Sequence, residues 1–163
     1  MEHKDLVKRA THWLKKTKKC GVILTEWTGG SREIPDAIGW DRGGRKSILV
    51  ECKSSYEDFI YDSKKYFRKQ PGRGLGTERY YMSPPGLINP EEIPPKWGLL
   101  EVHPHCVRVK KKAKVFDRGI SSAKSEILML FHALRCVTCE VEKDGRDLSW
   151  FRLSRAIERE KNG

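Results

Sequence analysis

The segment Ser47-Ile48-Leu49-Val50-Glu51-Cys52-Lys53 constrains this chain more than any other. A short apolar run with a β-branched residue reads as a strand buried in the middle of a sheet. Charge at the end of such a strand calls for a reason. Side chains alternate along a strand, so Ile48, Val50 and Cys52 point one way while Leu49, Glu51 and Lys53 point the other. Glu51 and Lys53 therefore share a face. Upstream, Ile34-Pro35-Asp36 opens a second strand candidate over 36–40, and Asp41-Arg42-Gly43-Gly44-Arg45-Lys46 is a turn by composition. A two-residue turn at Gly43-Gly44 pairs Arg42 with Arg45, and the same register sets Asp36 opposite Glu51. Directly opposed residues share a face with Cβ atoms about 5 Å apart. Asp36, Glu51 and Lys53 then converge on one patch, whereas a slip of one residue would turn Asp36 away.

The remaining chain supplies layers for this sheet. Residues 4–18 carry Leu6, Ala10, Trp13 and Leu14 at helical spacing, and 22–27 reads as a strand. Ser54 with Glu57 fits a capping box, which starts a helix running to about Lys69, before Pro71. Arg79 to Ser83 reads as a strand. A proline-rich loop over 84–95 follows, with one capped turn at Asn89-Pro90-Glu91-Glu92. Residues 97–103 and 106–109 make a hairpin. Ile127, Phe131 and Leu134 form one stripe of a helix over 122–136, and a short terminal helix from Asp147 turns Trp150, Leu153 and Ile157 inward. The expectation is an α/β domain, a mixed sheet flanked by helices, occupying all of 1–163 as one unit.

Two close carboxylates repel each other unless something neutralises them. A hard divalent cation does so, because Mg²⁺ takes one or two carboxylates together with substrate phosphate. Lys53 beside it adds positive charge that can hold an attacking water or a developing phosphate charge. Composition agrees with a polyanionic partner. Lys and Arg total 33 against 22 Asp and Glu, a net charge of +11, and nucleic acid is the commonest large polyanion in a cell. The densest basic stretch is Lys64, Lys65, Arg68, Lys69, Arg73 and Arg79, with Tyr61, Tyr66 and Phe67 interleaved. Those cations are expected to contact phosphates, and the aromatics to sit in the core rather than stack on bases. No apolar run approaches the roughly 20 residues of a membrane span, and Met1-Glu2-His3-Lys4-Asp5 lacks a secretory apolar stretch, so a cytoplasmic location without membrane contact is expected.

The motif residues resemble a known superfamily. Ile34-Pro35-Asp36 followed by Ile48-Leu49-Val50-Glu51-Cys52-Lys53 is similar to the PD-(D/E)XK, restriction-endonuclease-like nucleases. Glu51 to Phe59, with Asp62 and Lys65, more closely resembles the MmcB-like proteins assigned to DNA repair and related phage proteins. The Arg79-Tyr80-Tyr81 strand and Trp97-Gly98-Leu99-Leu100 are also similar, so the likeness spans about residues 20–102. It implies a Mg²⁺-dependent deoxyribonuclease, with Mn²⁺ as substitute metal. Asp36 and Glu51 bind the metal, the backbone carbonyl of Cys52 completes its shell, and Lys53 assists catalysis. The superfamily often adds a third acid, for which Glu26 is the choice and Glu2 the alternative. The resemblance also gives Asp58 a role, with Asp62 one helical turn beyond it.

Two other readings compete. One is a catalytically inactive nucleic-acid-binding module of the same fold, which the intact Asp-Glu-Lys set argues against. The other is a zinc protein using Cys136 and Cys139 with His103, His105 and Cys106, which are ligand types for zinc but lack a second C-x-x-C. Five cysteines, an odd number, give no disulfide framework. DNA is the first partner, with RNA open on the same chemistry.

Overall fold

The computed structural model describes residues 1–117 and 119–143. The order is α1 (His3–Lys16), β1 (Cys20–Thr25), β2 (Ala37–Asp41), β3 (Ser47–Cys52), α2 (Tyr56–Ser63), α3 (Tyr66–Lys69), β4 (Glu78–Ser83), β5 (Gly98–Val102), β6 (Val107–Lys111) and α4 (Ile120–Lys143). A single 3-10 turn, Pro71–Arg73, links α3 to β4. The six strands form one sheet in chain order. β1, β2 and β3 are antiparallel neighbours, β3–β4 and β4–β5 are parallel, and β5–β6 is antiparallel. This is the expected α/β architecture, a mixed sheet between helices. The expected terminal helix with Trp150, Leu153 and Ile157 lies outside the described residues.

β3 sits in the middle with every residue buried, as its apolar run requires. On one face, Leu6, Ala10, Trp13 and Leu14 of α1 pack against Ile48, Val50, Cys52, Tyr80, Met82 and Leu100. On the other, Ile38, Trp40, Leu49, Tyr81 and Leu99 meet Phe59, Leu75, Ile88, Ile93, Trp97, Phe116 and Met129. The two sets follow the period-2 alternation of the strands. Glu51 lies on the same face as Leu49, under α2 and α3.

The β2–β3 ladder pairs Ala37 with Val50, Ile38 with Leu49, Gly39 with Ile48 and Trp40 with Ser47. That is the register expected from the sequence. The turn itself is longer than a two-residue loop. The Asp41 amide donates to the Lys46 carbonyl at 3.0 Å, and the Asp41 carboxylate accepts from the amides of Arg45 and Lys46 at 2.7 and 3.2 Å. Arg42 to Arg45 thus form the loop, with Gly44 left-handed at φ +65°. Adding one residue to each side leaves the register unchanged.

Three other boundaries differ from expectation. The helix after β3 is capped by Ser55, whose hydroxyl accepts from the Asp58 amide at 3.2 Å, and not by Ser54. It also breaks at Lys64 and Lys65, where Lys65 is extended at φ −61°, ψ 144°. The break turns α3 back towards the sheet. Finally, α4 is longer than 122–136, and its Ile127-Phe131-Leu134 stripe faces outward. Its inner face carries Ser122, Glu126, Met129 and Val141. Glu126 explains this orientation. Its buried carboxylate accepts from Trp40 Nε1, Ser47 Oγ and the Gly76 amide, each at 3.0 Å. Gly30, at φ +84°, permits the close approach, since a Cβ there would meet the Leu128 backbone at 2.4 Å.

Glu126→Ala removes the acceptor for three buried donors. An orphaned buried donor forfeits its desolvation cost, so urea unfolding should show a loss of about 3 kcal/mol. A loss within error of zero would mean that α4 is held by its apolar contacts alone.

Candidate functional site

The ladder between β2 and β3 ends at Ala37–Val50, and the next residues on each strand are Asp36 and Glu51. There a side chain replaces the backbone: Asp36 Oδ2 accepts from the Cys52 amide at 2.6 Å. This bond ends the ladder and fixes Asp36 beside Glu51. On the far side, the Glu26 amide donates to the Pro35 and Asp36 carbonyls at 3.0 and 3.2 Å. Glu26 has the left-handed φ of +47° and lies just past β1, which ends two residues earlier than expected. His3 at the start of α1 bridges the two acids, with Nε2 at 3.5 Å from Asp36 Oδ1 and 3.7 Å from Glu26 Oε1. Glu26 is thereby at the margin of the group. Glu2 is exposed at the α1 N-cap.

Glu51 and Lys53 are 1% and 3% exposed. Charges so deep need partners. Lys53 Nζ lies 3.6 Å from Glu51 Oε2, 3.3 Å from Asp62 Oδ1 and 3.9 Å from Asp58 Oδ1. Asp62 is the hub of the opposite side. Besides Lys53 it accepts from Tyr81 Oη at 2.8 Å, from Lys65 Nζ at 2.8 Å and from Arg68 Nε at 2.6 Å. Arg68 reaches back from α3 to join three acids. It pairs with Asp62, lies 3.3 Å from Glu51 Oε1, and hydrogen-bonds Glu33 Oε1. Its guanidinium also lies over Trp97 at 4.8 Å, and Trp97 stacks on Tyr81 with centroids 4.5 Å apart. The remaining Glu33 oxygen accepts from the Leu75 amide at 2.7 Å.

Charge counting on this group is informative. Four carboxylates, Glu33, Asp36, Glu51 and Asp62, face three cations, Lys53, Lys65 and Arg68, with the half-exposed Asp58 at the edge, so a proton on Glu51 brings the inner group into balance. Burial pushes the Glu51 carboxyl up to about 8, against the pull of Arg68, with the neighbouring Asp36 adding to the rise. Asp36 is also raised, by burial. Asp62 goes the other way. Burial opposes its ionisation, but Arg68 and Lys53 overcome this and hold it below the usual carboxylate range. Glu51 Oε1 has no hydrogen-bond partner, although Arg68 Nη2 lies close.

The chemistry of this set fits a divalent cation in one respect. Two adjoining carboxylates, one with an orphaned buried oxygen, meet the protein's share of a Mg²⁺ shell, which keeps several waters. Among the described residues, no three His, Cys, Asp or Glu side chains cluster as a metal cage by themselves. The cysteine and histidine set raised by the sequence is not assembled either: Cys106, Cys136 and Cys139 are exposed and free.

Of the cations expected to meet phosphates, Lys64, Lys65, Lys69 and Arg73 are exposed. Arg68 and Arg79 are not, and here the sequence expectation is corrected. The Arg68 side chain is enclosed by its acids. Arg79 is buried against Phe116 at 4.1 Å, donates to the carbonyls of Gly74 and Gly76, and is pushed down to about 10 by burial. Strand alternation places Arg79 on the same inner face as Tyr81, which sequence composition alone does not reveal. The residues missed in the sequence are His3, Glu33, Tyr81 and Trp97. Glu33, three residues before Asp36 in a loop, carries no periodic signal.

No family model and no curated protein matches the chain. Among solved structures, a Silicibacter pomeroyi protein of unknown function is similar, with a TM-score of 0.62 and 19% identity over 91% of this chain and 97% of that one. At that identity the likeness shows a shared fold. Among the described residues no helix is long and apolar enough to cross a membrane.

The raised Glu51 carboxyl has a measurable consequence. The folded protein holds this proton up to about pH 8, whereas the unfolded chain releases it near 4.5. Between those values the folded state binds more protons, so this group's contribution to stability falls as pH rises. Glu51→Gln copies the protonated form. It should be near neutral at pH 5 and stabilising at pH 9, on the order of 2 kcal/mol, in paired denaturation curves. Parallel pH profiles for the two proteins would refute the assignment.

Proposed function

We propose that this protein is a metal-dependent nuclease that hydrolyses phosphodiester bonds in DNA, acting in repair, recombination or phage DNA processing in the cytoplasm. The observation that carries the reading is the meeting of Asp36, at the rim, with the buried Glu51 and Lys53 where two paired central strands end. Burying a carboxylate and a lysine together at the end of a central strand costs desolvation that apolar residues would avoid, which is reason to look for a role beyond stability. The resemblance of Ile34-Pro35-Asp36 and Glu51-Cys52-Lys53 to nuclease motifs supports the same chemistry.

In this reading Asp36 and Glu51 hold Mg²⁺ or Mn²⁺, with the Cys52 carbonyl as a further oxygen and Glu26 at the margin. The bound cation supplies Lewis acidity towards the scissile phosphate and a more acidic water. The protein's own residues do the rest. Lys53 lends its ammonium to the charge that builds on the phosphate. Asp62 and Glu51 hold Nζ from two sides, so the ammonium is fixed before substrate arrives. Arg68 keeps Asp62 ionised and joins it to Glu51. Asp36 is 18% exposed and Lys65, Asp58 and His3 are more so, which makes them the rim that substrate meets first.

Asp36→Asn and Glu51→Gln should each reduce Mg²⁺-supported cleavage by at least about a thousandfold, while metal-free DNA binding persists or strengthens. Lys53→Ala should lose cleavage to a similar extent and still bind metal by calorimetry. The assay uses nicked, branched, single- and double-stranded substrates with Mg²⁺ or Mn²⁺. Cleavage that survives excess chelator, or three variants at wild-type rates, would overturn the proposal. DNA binding with no cleavage under any of these conditions would point to the inactive binding module instead.

A further inference from the structure

The aromatics beside the basic stretch are not where the sequence places them. Tyr61 is 69% exposed and Tyr66 48%. A tyrosine at that exposure forgoes most of its apolar burial, and these two differ from the other exposed apolar residues in lying within a run of cations. On α2, Phe59 and Asp62 face inward, which sends Tyr61 outward, one helical turn from Lys64. Tyr66 is held in place. Its hydroxyl accepts from Arg73 Nη1 at 2.7 Å and donates to Gln70 Oε1 at 2.9 Å, and its ring stands edge-on to Phe67 with centroids 5.4 Å apart. A ring fixed this way loses little entropy on meeting a planar partner.

The surrounding charge selects the partner. From Ser63 to Thr77 the chain carries Lys64, Lys65, Arg68, Lys69 and Arg73 and no acidic residue. With Arg68 buried and Lys65 bound to Asp62, Lys64, Lys69 and Arg73 are the exposed cations alongside the two rings. Exposed rings interleaved with cations suit a strand whose bases are available for stacking. A duplex keeps its bases stacked inside and offers such rings nothing, so a purely duplex-binding surface would need only the cations. The surface adjoins the candidate site through Lys65, whose ammonium shares Asp62 with Lys53.

We infer that α2 and α3 form a platform for unpaired DNA, with Tyr61 and Tyr66 stacking on bases while Lys64, Lys69 and Arg73 hold the flanking phosphates. This rests on the nuclease reading for its place beside the reacting phosphate, and it narrows the substrate to DNA that is single-stranded there: a flap, an overhang or an open junction.

The test is fluorescence anisotropy of the full chain in EDTA, with a fluorescein-labelled mixed-sequence oligonucleotide of about 20 residues, its duplex, and the RNA of the same sequence. The wild type should bind the single DNA strand about tenfold more tightly than the duplex. Tyr61→Ala and Tyr66→Ala should each weaken single-strand binding by about fivefold or more and move duplex binding less than about twofold, whereas Tyr61→Trp should retain it. Lys64→Ala should weaken both substrates and flatten the salt dependence. Duplex binding as tight as single-strand binding, alanine variants that bind like wild type or lose both substrates equally, or RNA bound more tightly than DNA, would each overturn the inference. Because metal is absent, the result stands apart from cleavage. Selective loss in a protein that never cleaves would retain the platform and reject the nuclease, and cleavage indifferent to both tyrosines would do the reverse.

Discussion

The burial of Glu51 on a central strand is the interaction on which the rest of the structure turns. β3 is enclosed on both faces by helices, so a carboxylate at its end cannot be hydrated. Every neighbouring oddity answers that fact. Arg68 reaches Glu51 from α3, which the break at Lys64 and Lys65 sets apart from α2. Asp62 sits fully buried because it must hold both Lys53 and Arg68. Trp97 lies under the guanidinium, where a flat cation is partly compensated for lost water by the ring face. Glu33 closes the far side and ties the group to the backbone of Leu75. Even so Glu51 keeps its proton to about pH 8.

Much of this was legible in the sequence, for identifiable reasons. The register of β2 on β3 follows from two glycines in the turn and from a buried strand whose alternation admits no slip. The turn is longer than the glycine pair suggests but symmetric about it, so Asp36 still neighbours Glu51. Element types came through wherever the apolar period was strong, as in α1 and β3. What failed were inferences about which way a side chain faces when polar partners decide it. The outward Ile127 stripe follows from Glu126 and its three donors, and an acid in the middle of an amphipathic helix looks like a solvent-facing residue. Arg68 and Arg79 read as surface cations for the same reason, since nothing in their sequence neighbourhood announces the acids and carbonyls that enclose them. Tyr61 and Tyr66 are outside although composition favours the core for aromatics.

The two kinds of surprise are linked. Buried cations and exposed aromatics invert the usual distribution over one stretch, Tyr61 to Arg79, and that stretch adjoins the candidate site. Departures from local rules gather where structure serves something other than stability. In α1 and along the inner faces of the sheet apolar residues are inside, whereas α4 departs too, with Ile127, Phe131 and Leu134 outside and Glu126 buried.

The linear spread of the site also imposes a timetable. Its parts run from His3 and Glu33 through Asp36, Glu51, Lys53, Asp62 and Arg68 to Tyr81 and Trp97. The parallel strand that carries Tyr81 can dock only after the whole α2–α3 crossover has been made. A chain emerging from the ribosome therefore holds Asp36, Glu51 and Lys53 long before Tyr81 and Trp97 are there to fix Asp62 and Arg68 around them. Until then Glu51 is wet, Lys53 is unanchored, and the acids have no reason to come together. A chain cut short before Trp97 carries most of the site's side chains and little of their arrangement, so the site is complete only once synthesis has passed that residue.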